Sequence, residues 1–220
     1  MVVGLEVRSE RRSTDEPLSS LYGAQALETK RNITQGCSRE QEFAPPATLP
    51  ADTVSVFTDG SAFYDKTMKA WTHAGFGLIA VTGGAGHEHT VGRILHTHYG
   101  PVRPPELGAE KKTNNVGEVA AFVQALRWAR SPEIRDRPIV MRYDSKYAAL
   151  ITTGVYKAKA NKKLIATAQA EWKATMAAKD GRLWMRHVPA HSNHPWNEEA
   201  DRLAKLGCRG KSHYGPFEAD

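Results

Sequence analysis

The order in which strand-like and helix-like segments follow one another constrains this chain most. Thr53-Val-Ser-Val-Phe-Thr58 alternates and is rich in β-branched residues, so it reads as a strand, with Asp59-Gly60 closing it. His73 to Val81 reads as a second strand whose glycines suit a crowded site, and Val91 to Tyr99 as a third. Thr82-Gly-Gly-Ala-Gly86 is the turn between them, which makes the three an antiparallel meander. Apolar residues at helical spacing then predict a helix over 116–130, with Val119, Phe122, Val123 and Leu126 on one face. Ile139 to Tyr143 is a short apolar strand, and Ser145 caps a helix ending near Gly154. A helix over 164–178, a strand over 182–188 and a last helix from Pro195 complete the order β-β-β-α-β-α-α-β-α. A meander followed by β-α units implies an α/β fold: a mixed sheet with helices on its faces.

The flanks are different. Residues 1–52 show no sustained period and close with Ala44-Pro-Pro-Ala-Thr-Leu-Pro50, so they read as a disordered tail and stiff linker, with a short helix over 20–30 at most. Residues 53–210 read as one domain and 211–220 as a C-terminal tail. The formal net charge of +6 is unevenly placed: residues 1–52 hold six Lys or Arg against eight Asp or Glu, so 53–220 carry an excess of eight positive charges. Such a domain suits a polyanionic partner. Only Cys37 and Cys208 are present, which excludes a disulfide framework and a cysteine zinc cluster. No apolar run approaches the roughly 20 residues that span a bilayer. The expectation is a soluble, intracellular protein with no membrane association, and the residues identify no protein partner.

Chemistry concentrates near the end of the chain. Between Val188 and Leu206 a polar loop carrying His191 and His194 runs into Pro195, a residue suited to a first helical turn. Asn197 and Asp201 are four apart and share a helix face, with Glu198 beside them. Three more carboxylates sit at element edges: Asp59 after the first strand, Glu118 in the first turn of the first long helix, and Asp144 after the fourth strand. If strands one and four are parallel neighbours, Asp59 and Asp144 project from adjacent strand ends, where open α/β sheets place their sites. Four clustered carboxylates call for divalent cations, and hard oxygen ligands suit Mg²⁺ or Mn²⁺. Two such ions can activate a water and stabilise a leaving oxygen in phosphodiester cleavage.

Each signal alone has a plainer reading. Asp-Gly is commonly a turn, Asp144-Ser145 a helix cap, and an acid near a helix start is favoured by the dipole. The joint placement is what points to a site. His187, His191 and His194 could be zinc ligands, but the loop lacks a partner pair. Gly83-Gly-Ala-Gly86 lacks the Lys-Ser/Thr of a phosphate cradle and reads as a hairpin turn. Trp71, Trp128, Trp172 and Trp184 are expected in packing roles, with Trp196 next to the site.

Four blocks carry a resemblance. Phe57-Thr-Asp-Gly-Ser61, Thr113-Asn-Asn-Val-Gly-Glu118, Asp144-Ser-Lys-Tyr147 and the run from His187 to Asp201 resemble, in order, the signature blocks of type 1 ribonuclease H, cellular or retroelement-like. The resemblance covers about 53–208. It implies a ribonuclease H-like fold with a five-stranded mixed sheet, strand order 3-2-1-4-5 and the second strand antiparallel. It implies an endonuclease that cuts the RNA strand of RNA–DNA hybrids with two Mg²⁺, leaving 5′-phosphate and 3′-hydroxyl ends. By the same matching Asp59, Glu118, Asp144 and Asp201 are the metal ligands. His191 is the histidine that helps position water or release product, and Glu198 assists metal exchange or release. Gly60 and Ser61 contact RNA, Asn114 and Asn115 reach the minor groove, and Asn197 lies beside the substrate. Lys111, Thr113 and Asn161 grip a phosphate of the DNA strand.

The chain departs from the family at three places. Lys146 stands where Gln or Met often touches bases. The connection after the helix that follows Asp144 is too short for a basic protrusion, leaving Lys157, Lys159, Lys162 and Lys163 as its partial replacement. No tryptophan lies near Val155 to serve a DNA channel. The alternatives are a catalytically silent nucleic-acid-binding module and a DNA-directed nuclease, both on the same fold.

Overall fold

The computed structural model describes residues 41–82, 92–190 and 192–216. The tail through residue 40, the turn at 83–86, Val91 and His191 lie outside the described residues. Ten principal elements follow in order: β1 (Val54–Asp65), β2 (Ala70–Thr82), β3 (Arg93–Pro101), α1 (Asn114–Trp128), β4 (Ile139–Tyr143), α2 (Lys146–Thr152), α3 (Lys162–Lys179), β5 (Leu183–His187), α4 (Pro195–Cys208) and β6 (His213–Gly215). They form one mixed sheet in the order β5-β4-β1-β2-β3-β6. β2 is antiparallel to β1 and β3, while β4 is parallel to both β1 and β5. The expected strand order is therefore present, with one strand more than the five expected.

The extra strand is too short for a periodic signal. β6 pairs antiparallel with β3 through three residues, and Tyr214 sets its ring against His96 and His98 at centroid distances of 4.7 and 4.8 Å. Cross-strand ring contacts of this kind stabilise a pairing that three backbone residues alone would not.

Helices cover both faces. Under α1, α2 and α3 lies the larger core, containing Val54, Val56, Leu78, Phe122, Leu126, Ile139, Met141 and Leu164. On the other face α4 packs Ala200 and Leu203 against Phe57, Ile79 and Val81. α4 follows the amphipathic pattern read from its sequence. α1 is buried more widely than one face, since Ala120, Ala121 and Ala125 are enclosed along with the four residues expected there. Its small alanines allow the sheet and α3 to press on it from two sides.

Two boundaries next to the carboxylates differ from the sequence reading. Asp59-Gly60 does not end β1, which continues to Asp65 with Gly60 paired to Phe76. Gly60 is needed for close packing: a Cβ there would lie 2.0 Å from the Glu118 backbone nitrogen. α1 starts at Asn114, so Glu118 sits in its second turn rather than its first. On the opposite face Gly77 meets α4 in the same way, where a Cβ would lie 2.4 Å from the Ala204 nitrogen.

Trp128 and Trp172 are buried and Trp184 half-buried, as expected, and Trp196 is half-buried against the core under α4, but Trp71 is 44 % exposed. The β1–β2 hairpin outruns the helices that cover it. α1 meets β1 at Gly60 and α4 meets β2 at Gly75, so Phe63, Tyr64, Met68 and Trp71 beyond those points stand open to solvent.

Gly77→Ala is expected to lower stability by about 2 kcal/mol, because both atoms that the new methyl would meet first are backbone and α4 must move. Urea unfolding of the two proteins checks this; an unchanged midpoint would contradict the contact.

Candidate active site

The register of the sheet brings the first two carboxylates together. β1 and β4 are paired in parallel through Thr58 and Tyr143, so Asp59 and Asp144 each follow the last pair. β4 stops there, and α2 begins at Lys146 under a Ser145 cap. Above that end, α1 contributes Glu118 from one face of the sheet and α4 contributes Asp201 from the other. The four side chains line one cleft of about 380 Å³, together with Gly60, Ser61, Asn114, Ser145, Asn197, Glu198 and Lys205.

Polar neighbours hold each carboxylate in place. Asp59 accepts the Gly60 N–H at 2.7 Å. Glu118 accepts from Asn114 Nδ2 at 2.8 Å and from the Ser145 hydroxyl. Ser145 therefore has two tasks, because its oxygen also accepts the Ala148 N–H and caps α2. Asn197 is buried in α4 and donates its Nδ2 to Asp144 Oδ2 at 3.2 Å. Lys205 Nζ bonds Asp201 Oδ2 at 2.6 Å, one helical turn away. Lys205 thus pairs a cation with this set.

The cluster remains short of positive charge. Burial, then the charge of Asp144, push the Asp59 carboxyl up to about 8, opposed by the Gly60 N–H and supported by smaller contributions from Asp201 and Glu118. Burial also raises Glu118, opposed by the Ser145 bond and supported by Asp144. An all-oxygen, acid-rich cleft in which one carboxyl resists ionisation is a donor set suited to a hard divalent cation. In the present rotamers these groups bond protein donors, and among the described residues no three His, Cys, Asp or Glu side chains lie close enough to hold an ion. That applies equally to the zinc reading: His194 packs against Phe57 and His187 against Tyr143.

The remaining residues singled out from the sequence are not all in the cleft. His191 lies outside the described residues. Asn115 is exposed in the first turn of α1 and does not line the cleft, and Lys146 is exposed at the start of α2. Lys111 and Thr113 line a separate hollow of about 590 Å³ with Trp71 and Lys112. Asn161 is not part of that lining. It stands at the N-cap position of α3 in the left-handed region at φ 49°, with its side-chain oxygen buried and without a partner among the described residues. Sequence reasoning missed Lys205 and the second bond of Ser145. Lys205 carried a usable signal, four residues after Asp201 on a helix.

The RNase H family model matches residues 51–209. No curated protein sequence matches the chain. Among solved structures, LC11-RNase H1, isolated from compost by a metagenomic approach, is 22% identical with a TM-score of 0.52, over 72% of this chain and 96% of that one. The same protein in complex with an RNA/DNA hybrid is 21% identical with a TM-score of 0.51, over 71% and 96%. The prototype foamy virus protease-reverse transcriptase is 22% identical with a TM-score of 0.52, over 75% of this chain and 22% of that one. At these identities the likeness is one of fold. Among the described residues no helix is long and apolar enough to cross a membrane.

Asp59 gives the metal-free protein a pH dependence. Because its folded value is raised from 3.8 to about 8, its stabilising contribution is fully present below about pH 4 and is lost as pH rises through 8. In chelator, Asp59→Asn is expected to exceed the wild type by more at pH 9 than at pH 5, the gap widening by an amount on the order of a few kcal/mol. Urea unfolding at the two pH values checks this, and an equal offset at both would contradict it.

Proposed function

The chain belongs to the ribonuclease H family, and from that premise we propose that it hydrolyses the RNA strand of RNA–DNA hybrids, using two Mg²⁺ ions, with Mn²⁺ as a substitute, and leaving 5′-phosphate and 3′-hydroxyl ends. The observation that carries this reading is the cleft shared by Asp59, Glu118, Asp144 and Asp201, whose mutual repulsion is relieved by cations. Those four side chains would hold the metal. When bound, it would supply Lewis-acid activation of water and neutralise charge at the leaving oxygen.

Other residues bind and orient. Gly60 and Ser61, at the floor of the cleft, offer backbone groups to the ribose-bearing strand, and Asn114 and Asn115 at the start of α1 reach into the minor groove. Hybrids are read in this way, by groove shape and 2′-hydroxyls rather than base sequence. Lys111 and Thr113 grip a phosphate of the other strand with Asn161, the lysine acting as a point charge. Asn197 steadies Asp144, Lys146 touches the substrate beside the cleft, and Glu198 assists release of metal. His191 helps to position water or release product. The LC11-RNase H1 complex with an RNA/DNA hybrid supports the choice of substrate, and the basic domain supports a polyanion.

The test is cleavage of labelled RNA–DNA, RNA–RNA and DNA–DNA duplexes with Mg²⁺ or with chelator. Cutting of the RNA strand in the hybrid alone, and only with metal, is the expected result. Cutting of DNA–DNA, or cutting in chelator, would overturn the reading. Asp59→Asn and Asp144→Asn are each expected to reduce the rate by about 10³-fold or more while hybrid binding survives, in line with losses seen when a charge-stabilising group is removed. His191→Ala is expected to slow turnover without abolishing it; complete loss in folded protein would contradict its role.

A further inference from the structure

A second hollow of about 480 Å³ opens beside the carboxylate cleft, and the two share Ser61 and Lys205 as lining. A strand crossing the carboxylates can therefore run on into it without leaving the protein surface. Its contents are of two kinds. Arg209 stands at the end of α4, two helical turns beyond Asp201 and one beyond Lys205, with its side chain exposed. Lys205 is already engaged by Asp201, so Arg209 is the cation of this hollow that no carboxylate occupies among the described residues. Opposite it are Phe63 and His73, paired across β1 and β2 with their rings 6.3 Å apart.

Phe63 is 55 % exposed. Its position in the strand explains its exposure, since α4 leaves β2 at Gly75 and among the described residues no helix covers the hairpin further out. It does not explain why an aromatic ring, rather than a polar residue, stands there. A flat apolar face beside a guanidinium matches the two halves of a nucleotide, since arginine forks phosphate oxygens and aromatic rings stack on bases of any sequence.

We infer that this hollow is a subsite for one nucleotide of the strand being cut, on one side of the scissile phosphate: Arg209 takes its phosphate, and Phe63, backed by His73, stacks on its base. The inference rests on the hybrid-cleavage reading of the neighbouring cleft. Because stacking is indifferent to base identity, the subsite adds affinity and sets how far RNA must extend beyond the cut, without imposing a sequence.

The test compares wild type, Phe63→Ala, Phe63→Tyr and Arg209→Ala on a hybrid of fixed sequence. A second series carries one abasic ribonucleotide at each position flanking the cut. Phe63→Ala and Arg209→Ala are expected to lower kcat/KM about tenfold, the loss being carried by KM, while Phe63→Tyr retains the wild-type value. One abasic position should reproduce the Phe63→Ala loss in the wild type and cost nothing further in Phe63→Ala. Unchanged KM in both alanine variants, or an abasic penalty that is the same with and without Phe63, would overturn the subsite. The same variants in an Asp144→Asn background, scored by hybrid binding, separate the two claims. Binding that depends on Phe63 and Arg209 upholds the subsite even if the wild type cuts no hybrid, and binding that ignores them rejects it even if cleavage is robust.

Discussion

The site depends on a place where two backbones touch. Gly60 in β1 lies against Gly117 and Glu118 in α1 so closely that a single methyl on Gly60 would overlap the helix backbone. A Cβ on Gly117 would likewise meet the Gly75 carbonyl oxygen at 2.5 Å. With side chains absent at both points, the second turn of α1 rests on the strand and Glu118 arrives beside Asp59. The opposite face repeats the device with Gly75 and Gly77 against α4, which sets the depth at which Asp201 is held. β4 ends at Tyr143, so carboxylates from helices on opposite faces meet over its end.

That convergence has an electrostatic cost which the polar neighbours only partly offset. Asn114 and Ser145 satisfy Glu118, Asn197 satisfies Asp144 and Lys205 pairs with Asp201. Asp59 is left with one backbone N–H against three negative neighbours. The repulsion is concentrated where a cation would relieve most of it, a common arrangement in sites whose local instability serves function. The same donors keep the carboxylates in defined rotamers when no cation bridges them.

The surface around the cleft has a consistent character. One hollow adjoins α1 with Trp71, Lys111 and Lys112, and another adjoins α4 with Phe63 and Arg209. The β1–β2 hairpin passes between them, carrying one aromatic pair on each face: Phe63 with His73, and Tyr64 with Trp71. Cations combined with exposed rings on both sides of an acidic centre suit a ligand whose backbone is anionic and whose bases are flat.

From its residues alone the chain declared its element order apart from β6 and marked the four acidic positions, whereas the parallel pairing of β1 and β4 was implied by the family resemblance. The order and the positions follow from local period, from caps such as Ser145 and from blocks such as Thr113 to Glu118, all of which are written in adjacent residues. What adjacent residues could not settle was what each position touches across the fold. Gly60 reads as a turn in sequence and is a contact point in space; Asp59 looks like any of the four acids until burial singles it out. Trp71 looks like core until the hairpin outruns its helices, and three residues at 213–215 become a strand only because His96 and His98 are there to receive Tyr214. Period is a property of neighbours in the chain, whereas burial, repulsion and close approach belong to pairs that only the folded structure brings together.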